Sequence, residues 1–372
     1  MSGAGPTATP AQRPGPRGAG ADAVPDPVFT GRLPEGPPHT DPEEPGYAAD
    51  PRAAAPDHLW RRALRMPRIL LGGGVLMLML LACIGTLPWT LSYDSGLSYD
   101  RGNPLNSIAP PLEPSAVENV GPVLSLFGFD EQGRSILARC LMGGVISLAV
   151  GVAAAAISVV LGVGVGLLAG YAGGKVDAAL MRFVDIMYGL PYILLVIMFK
   201  VALDEPLRAL FEWLNLFQSP RLAANLTVLF MAIGLVSWLT MSRVVRGQVL
   251  SLRNQPFVEA ARAGGLRPLR IFWRHLLPNL VGPILVYTTL TVPQAILQES
   301  FLSFLGIGVQ PPLPSWGSLA SEGLDPTRST FNPQWWRLVF PCIMLAITLL
   351  SLNFPGDGLR DLFDPKREGT KL

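Results

Sequence analysis

The sequence predicts an all-α integral membrane protein with about six transmembrane helices. Of its 372 residues, 49% are hydrophobic and only 15% charged, with mean hydropathy +0.38. A soluble domain carries about 25% charged residues. The deficit sits in long uncharged blocks, most of them long enough to cross the roughly 30 Å hydrocarbon core as a helix. Lys and Arg gather at alternate flanks of these blocks, as they do where loops sort to one side of a membrane.

Several function classes fall away on composition. A net charge of +2 is too small to point to nucleic acid, and the basic residues form no single tract. Cys83, Cys140 and Cys342 are odd in number and widely spaced, which argues against a disulfide framework or a CxxC metal site. His39, His58 and His275 are scattered, so no convergent metal-ligand set is expected. No GxxxxGK[ST] occurs. The glycines Gly162, Gly164, Gly166 and Gly170 superficially match a dinucleotide loop, but they lie in an apolar block with no strand before them. They read instead as a helix-packing stripe with a GxxxG at 166–170. An intramembrane enzyme would want a paired Asp, an HExxH or a Ser/His arrangement inside the spans, and none is present. An ion-driven secondary transporter would want inverted repeats, broken helices and mid-membrane ion ligands, for which the sequence offers no sign.

Taken in order, residues 1–57 are rich in Pro, Gly, Ala and Asp. They cannot bury enough apolar surface to offset ordering and are expected to form a disordered cytoplasmic tail. The first apolar run begins too late for a signal peptide. Residues 58–140 hold the first span, about 69–90, behind Arg61, Arg62, Arg65 and Arg68, and then an outer segment ending in a short helix from Ser135. The core transmembrane domain covers 141–356, with spans near 141–171, 183–203, 223–245, 280–305 and 338–354 and a polar loop over 246–279. A cytoplasmic tail, 357–372, follows. With the N-terminus inside, inner flanks carry 17 Lys and Arg against 8 outside. Both termini and the 246–279 loop are therefore expected in the cytoplasm.

A few polar positions stand out in this apolar setting. Arg182 and Asp185, three residues apart, can pair on one helix face. Gln298 and Glu299 lie late in the fifth span, where an ionisable group should face protein or a watery path rather than lipid. A structural contact and a translocation-path role are both open there. Pro-rich backbone over 310–317 must face water or pack on protein. Trp335 and Trp336 stand where an interfacial anchor is expected.

The polar loop contains EAARAGGLRPLRIFWRHLLPN, residues 259–279. Pro256 and Pro268 suit first helical turns, and Gly264 and Gly265 suit a left-handed helix end. Two short helices are expected, over 256–263 and 268–277, with a glycine corner between. Glu259-Ala260-Ala261, then Gly265, His275 and Leu277-Pro278, resembles the EAA loop of ABC importer permeases. Asp130-Glu131-Gln132-Gly133-Arg134-Ser135 to Ser147-Leu148, Gly170-Tyr171-Ala172-Gly173-Gly174 with Asp177, Arg182, Asp185 and Pro191, Glu299-Ser300 through Pro311-Pro312 and Ser315-Trp316-Gly317, and Gly356 to Asp361 with Asp364-Pro365 all resemble the C-type permeases of oligopeptide and dipeptide importers. The departures are Phe129 for Thr, Ser135 for Asp and Ile146 for a basic residue.

This resemblance implies a type I ABC importer permease fold with cytoplasmic coupling helices, in a bacterial inner (plasma) membrane. It implies no catalysis by this chain and no cofactor of its own, since ATP and Mg would be bound by one or two partner ATPase subunits. A second homologous permease would share the pore, and an external substrate-binding protein would deliver peptide. Nickel chelates or opine-like solutes are the alternative cargo. ATPase coupling is assigned by resemblance to Glu259, Ala260, Ala261, Gly265, His275 and Pro278, through helix-in-groove docking of about 254–263.

Overall fold

The structure, a computed structural model, describes residues 66–112, 123–215, 219–324 and 334–363. The expected tail over 1–57 lies outside these residues, as does 364–372. Among the described residues the chain is almost entirely helical. Its helices are α1 (Pro67–Gly85), α2 (Leu87–Leu91), α3 (Ile136–Ala172), α4 (Gly174–Tyr188), α5 (Tyr192–Leu214), α6 (Pro220–Leu252), α7 (Pro256–Ala263), α8 (Pro268–Ile271), α9 (Leu277–Phe304), α10 (Trp316–Gly323) and α11 (Trp335–Phe363). Among the described residues, five stretches are long and apolar enough to cross a membrane: Pro67–Leu91, Ile136–Ala172, Pro220–Leu252, Phe272–Phe304 and Trp335–Leu362. A sixth crossing is reached only if α4 and α5 count as one.

The expected third span, 183–203, is not one straight helix. It breaks at 189–191 and turns through 99° between α4 and α5. Pro191 has no N–H for a continuing helix and disfavours helical backbone at Leu190. The ends of α4 are clamped to α6 instead. Arg246 reaches Asp177, and Arg243 reaches Asp185 at 2.8 Å while its guanidinium lies 4.0 Å over the Tyr188 ring. Asp185 is thus partnered by Arg243, not by Arg182 as the spacing suggested. Arg182 is exposed and in no ion pair among the described residues.

The helix from Ser135 is not short. It is the start of α3, which runs without interruption for 37 residues. Ser135 accepts the Ala138 N–H at 3.5 Å and donates to the Leu124 carbonyl at 2.8 Å, so a serine fills the capping role expected of an aspartate. α3 packs on α6 through its glycines. A β-carbon placed on Gly162, Gly166 or Gly170 would lie 2.5, 2.5 and 2.8 Å from Met241 Cβ, Ser242 O and Val249 Cβ. Gly164 points into open space and has no part in this contact.

At the expected outer end, α10 folds back against α9. A β-carbon on Gly317 would lie 2.1 Å from the Ser300 carbonyl, and Trp316 is buried with its Nε1 donating to the Cys140 carbonyl at 3.0 Å. The Pro-rich stretch before it does both things expected of it: Pro311 and Pro312 are exposed, while Leu313, Pro314 and Ser315 are buried against protein. The two tryptophans part company: Trp335 is exposed, while Trp336 is buried and donates to the Phe129 carbonyl at 3.3 Å. Arg139, buried, joins Asp130 at 3.0 Å to Glu322 at 2.5 Å. The expected tail after residue 356 begins as helix, since α11 continues to Phe363 with Gly358 closely abutting Ile69 of α1.

The glycine contact yields a contrast between neighbours. Gly166→Ala should weaken the fold by about 1–3 kcal/mol through overpacking, read as resistance to unfolding in detergent. Gly164→Ala should leave it unchanged or better. Equal effects would contradict the α3–α6 contact.

Candidate functional site

The polar loop folds as a hairpin of helices. Pro256 opens α7 after an extended Gln255, and Val258 is the one fully buried side chain of this helix. It packs with Ile271 and Leu276, joined by Tyr171, Leu252, Ala261 and Leu266. Phe257, Glu259, Ala260 and Ala263 face outward. Glu259 lies in the first turn, where a carboxylate complements the helix dipole.

The corner is a Schellman turn. The Gly265 N–H donates to the Arg262 carbonyl at 2.9 Å, and the Leu266 N–H to the Ala261 carbonyl at 3.2 Å. Gly265 has φ +73° with nothing within 4 Å of a β-carbon, so its requirement is conformational rather than steric. Gly264 stays at negative φ, so only one of the two glycines carries the left-handed bend. The second expected helix, 268–277, does not end. α8 widens into a π segment, Phe272–Leu276, and runs directly into α9. His275 sits in that segment, half-buried, its ring 6.5 Å from Phe257 of α7. Pro278 lies exposed in the first turn of α9. Glu259, Ala260, Ala261, Gly265 and His275 thus belong to one hairpin, with Pro278 at its exit.

The two late polar residues of α9 part in opposite directions. Glu299 is fully buried. Its carboxylate accepts from Ser147 at 2.9 Å, Ser303 at 2.6 Å and Ser300 at 3.3 Å. Ser303 in turn accepts the Val309 N–H at 3.0 Å. Glu299 therefore ties α9 to α3 and to the following turn, and it is not among the residues around the cavity beside α9. Gln298 is: it accepts a hydrogen bond from Tyr192 and lines a cavity of 410 Å³ between the α4–α5 break, α6 and α9. Ser237, Thr240, Thr291 and Gln294 add polar groups to that cavity, and none of the described residues lining it is charged. Irregular backbone at Leu190 is tolerated where it borders such a cavity. These polar positions were missed in the sequence, although Thr291, Gln294 and Gln298 fall on one helical face at i, i+3 and i+7.

Residues 162–369 match the family described as binding-protein-dependent transport system inner membrane component. The dipeptide transport system permease protein DppC of Bacillus subtilis (strain 168) is 42% identical over 240 residues, 64% of this chain and 68% of the relative. The oligopeptide transport system permease protein OppC of the same organism is 37% identical over 311 residues, 83% of this chain and 90% of the relative. The OppC of Escherichia coli (strain K12) is 42% identical over 240 residues, 64% of this chain and 72% of the relative. A solved structure of the inward-facing MetNI methionine ABC transporter aligns with TM-score 0.46 and 18% identity over 61% of this chain and 97% of that one, a likeness too loose to bear argument. With more than half its length matched and relatives of this identity and coverage, the chain belongs to the binding-protein-dependent transport system inner membrane components.

Proposed function

We propose that this chain is one permease subunit of an ATP-driven importer of di- or oligopeptides, and that α7 is the part its ATPase partner grips. The observation that carries this reading is the hairpin itself. α7 is anchored on one face by Val258 and a Schellman corner, and it presents Glu259 and Ala260 outward on the other. The Lys and Arg asymmetry supports a cytoplasmic side for this hairpin and both termini, where ATP is found. A second homologous permease completes the pore, and an external binding protein supplies the cargo.

Coupling is mechanical. ATP and Mg belong to the partner chains, and this chain breaks no bond. When two ATPase domains close, each carries a seated helix with it. Glu259 can pair with a basic group or accept from a backbone amide in the groove, and Ala260 keeps the helix slim enough to seat. Because α7 is joined to α6 and, through the hairpin, to α9, the motion passes to helices on two sides of the Gln298 cavity and alternates access. An uncharged polar lining suits a cargo bound through its peptide backbone and water. Relatives named for dipeptide and oligopeptide transport support that cargo, and no observation favours nickel chelates, opine-like solutes or ion-driven transport.

Gly265→Leu forces a left-handed conformation that costs an ordinary residue about 1–2 kcal/mol. It should leave the chain inserted and abolish most peptide uptake, as should Glu259→Arg. Gly265→Asn, which tolerates that conformation, should keep most of it. Uptake assays in membranes with matched chain levels check all three. Normal uptake by Gly265→Leu and Glu259→Arg would overturn the reading.

A further inference from the structure

The segment that returns from the hairpin to the membrane carries a second feature that docking of α7 does not use. Arg267, Arg270 and Arg274 are exposed and, with Trp273, line an open concavity of 480 Å³. None of the three arginines has an ion-pair partner among the described residues. No acidic residue occurs between Glu259 and Glu299, so nothing along this helix offsets the charge. The contrast is with Arg243 and Arg246 on α6, both of which are taken up by aspartates of α4.

We propose that this face binds the headgroups of anionic phospholipids. The site rests on the cytoplasmic placement of the hairpin argued above, and its ligand class comes from three further observations. First, the arginines stand at the N-terminal end of the apolar stretch Phe272–Phe304, on the side where anionic headgroups are expected. Second, Trp273 is 61% exposed beside them and is held edge-on by Phe272 at 5.1 Å. An indole in that position suits the interface, with an apolar body and a polar N–H. Third, Val281 and Leu285 are exposed further along α9. The exposed groups along this helix thus read basic, aromatic and then aliphatic, the order of a lipid from headgroup to acyl chain. An acidic protein surface would match the arginines but not the apolar groups that follow them. Guanidinium groups hold phosphate oxygens bidentately, and a juxtamembrane arginine near an anionic surface contributes roughly fivefold in affinity.

The test uses the full chain with its copurifying subunits, reconstituted into nanodiscs of phosphatidylcholine with a minor share of phosphatidylglycerol. Native mass spectrometry then counts lipid retained on release. The intact protein should retain phosphatidylglycerol over phosphatidylcholine, less so at high salt. Arg267→Gln/Arg270→Gln/Arg274→Gln should lose that preference by roughly fivefold per arginine. The corresponding triple Lys variant should keep much of it, and Arg101→Gln, at the opposite end of the chain's fold, should be unaffected. An unchanged lipid preference in the triple Gln variant would overturn the proposal. Retained lipid preference with loss of the copurifying ATPase chain would also overturn it, and would assign the face to a protein partner.

Discussion

The contact between α3 and α6 is the one on which the rest of the molecule depends. In lipid, helices gain nothing from hiding apolar surface, because the acyl chains are as apolar as leucine. Close backbone approach and its dispersion energy must hold them instead. Gly162, Gly166 and Gly170 permit that approach, and any side chain there would collide with α6. Gly234 does the same from the α6 side against Ile157. The end of the seam nearest the hairpin is then sealed by charge: Arg253 donates to the Gly170 carbonyl at 3.1 Å, and Arg246 holds Asp177. α6 is consequently a rigid strut, and α7 begins only a short turn beyond its end.

The far end of the bundle is held by a different device. Glu299 lies where an unpaired carboxylate would be prohibitive, and three serine hydroxyls meet it there. The same serines extend the network, Ser303 to the Val309 N–H at 3.0 Å and Ser147 to the Trp316 N–H at 3.4 Å. One carboxylate thereby ties α9, α3, the turn after α9 and the start of α10. At its other end α9 is continuous with the segment that carries Ile271 and Leu276 of the Val258 cluster, so the hairpin and one wall of the cavity belong to a single run of helix.

Local chemistry made much of this legible in the sequence. α7 starts at Pro256 and ends at Ala263 because proline and glycine act within a turn of where they stand. The long apolar runs located the spans for the same reason. What escaped was long-range. Asp185 found Arg243, 58 residues on, rather than Arg182 on its own helix, because the break at Pro191 lays α4 against α6. Ser147 reaches Glu299 across 152 residues, and no spacing rule predicts such a partner. Trp336 turned inward beside an outward Trp335 because the Phe129 carbonyl lay within reach. The cavity was partly readable, in the polar face of α9, but its other walls come from α5 and α6 and needed the fold.

The central claim is that a partner ATPase holds α7 by its outward face. The most direct test places a photo-crosslinking amino acid at Ala260, in membranes containing the whole transporter, and identifies the adduct. The account predicts a covalent adduct with an ATPase chain, with a yield that changes when ATP is added. An adduct only with lipid or with another permease, in cells whose peptide uptake is intact, would contradict it.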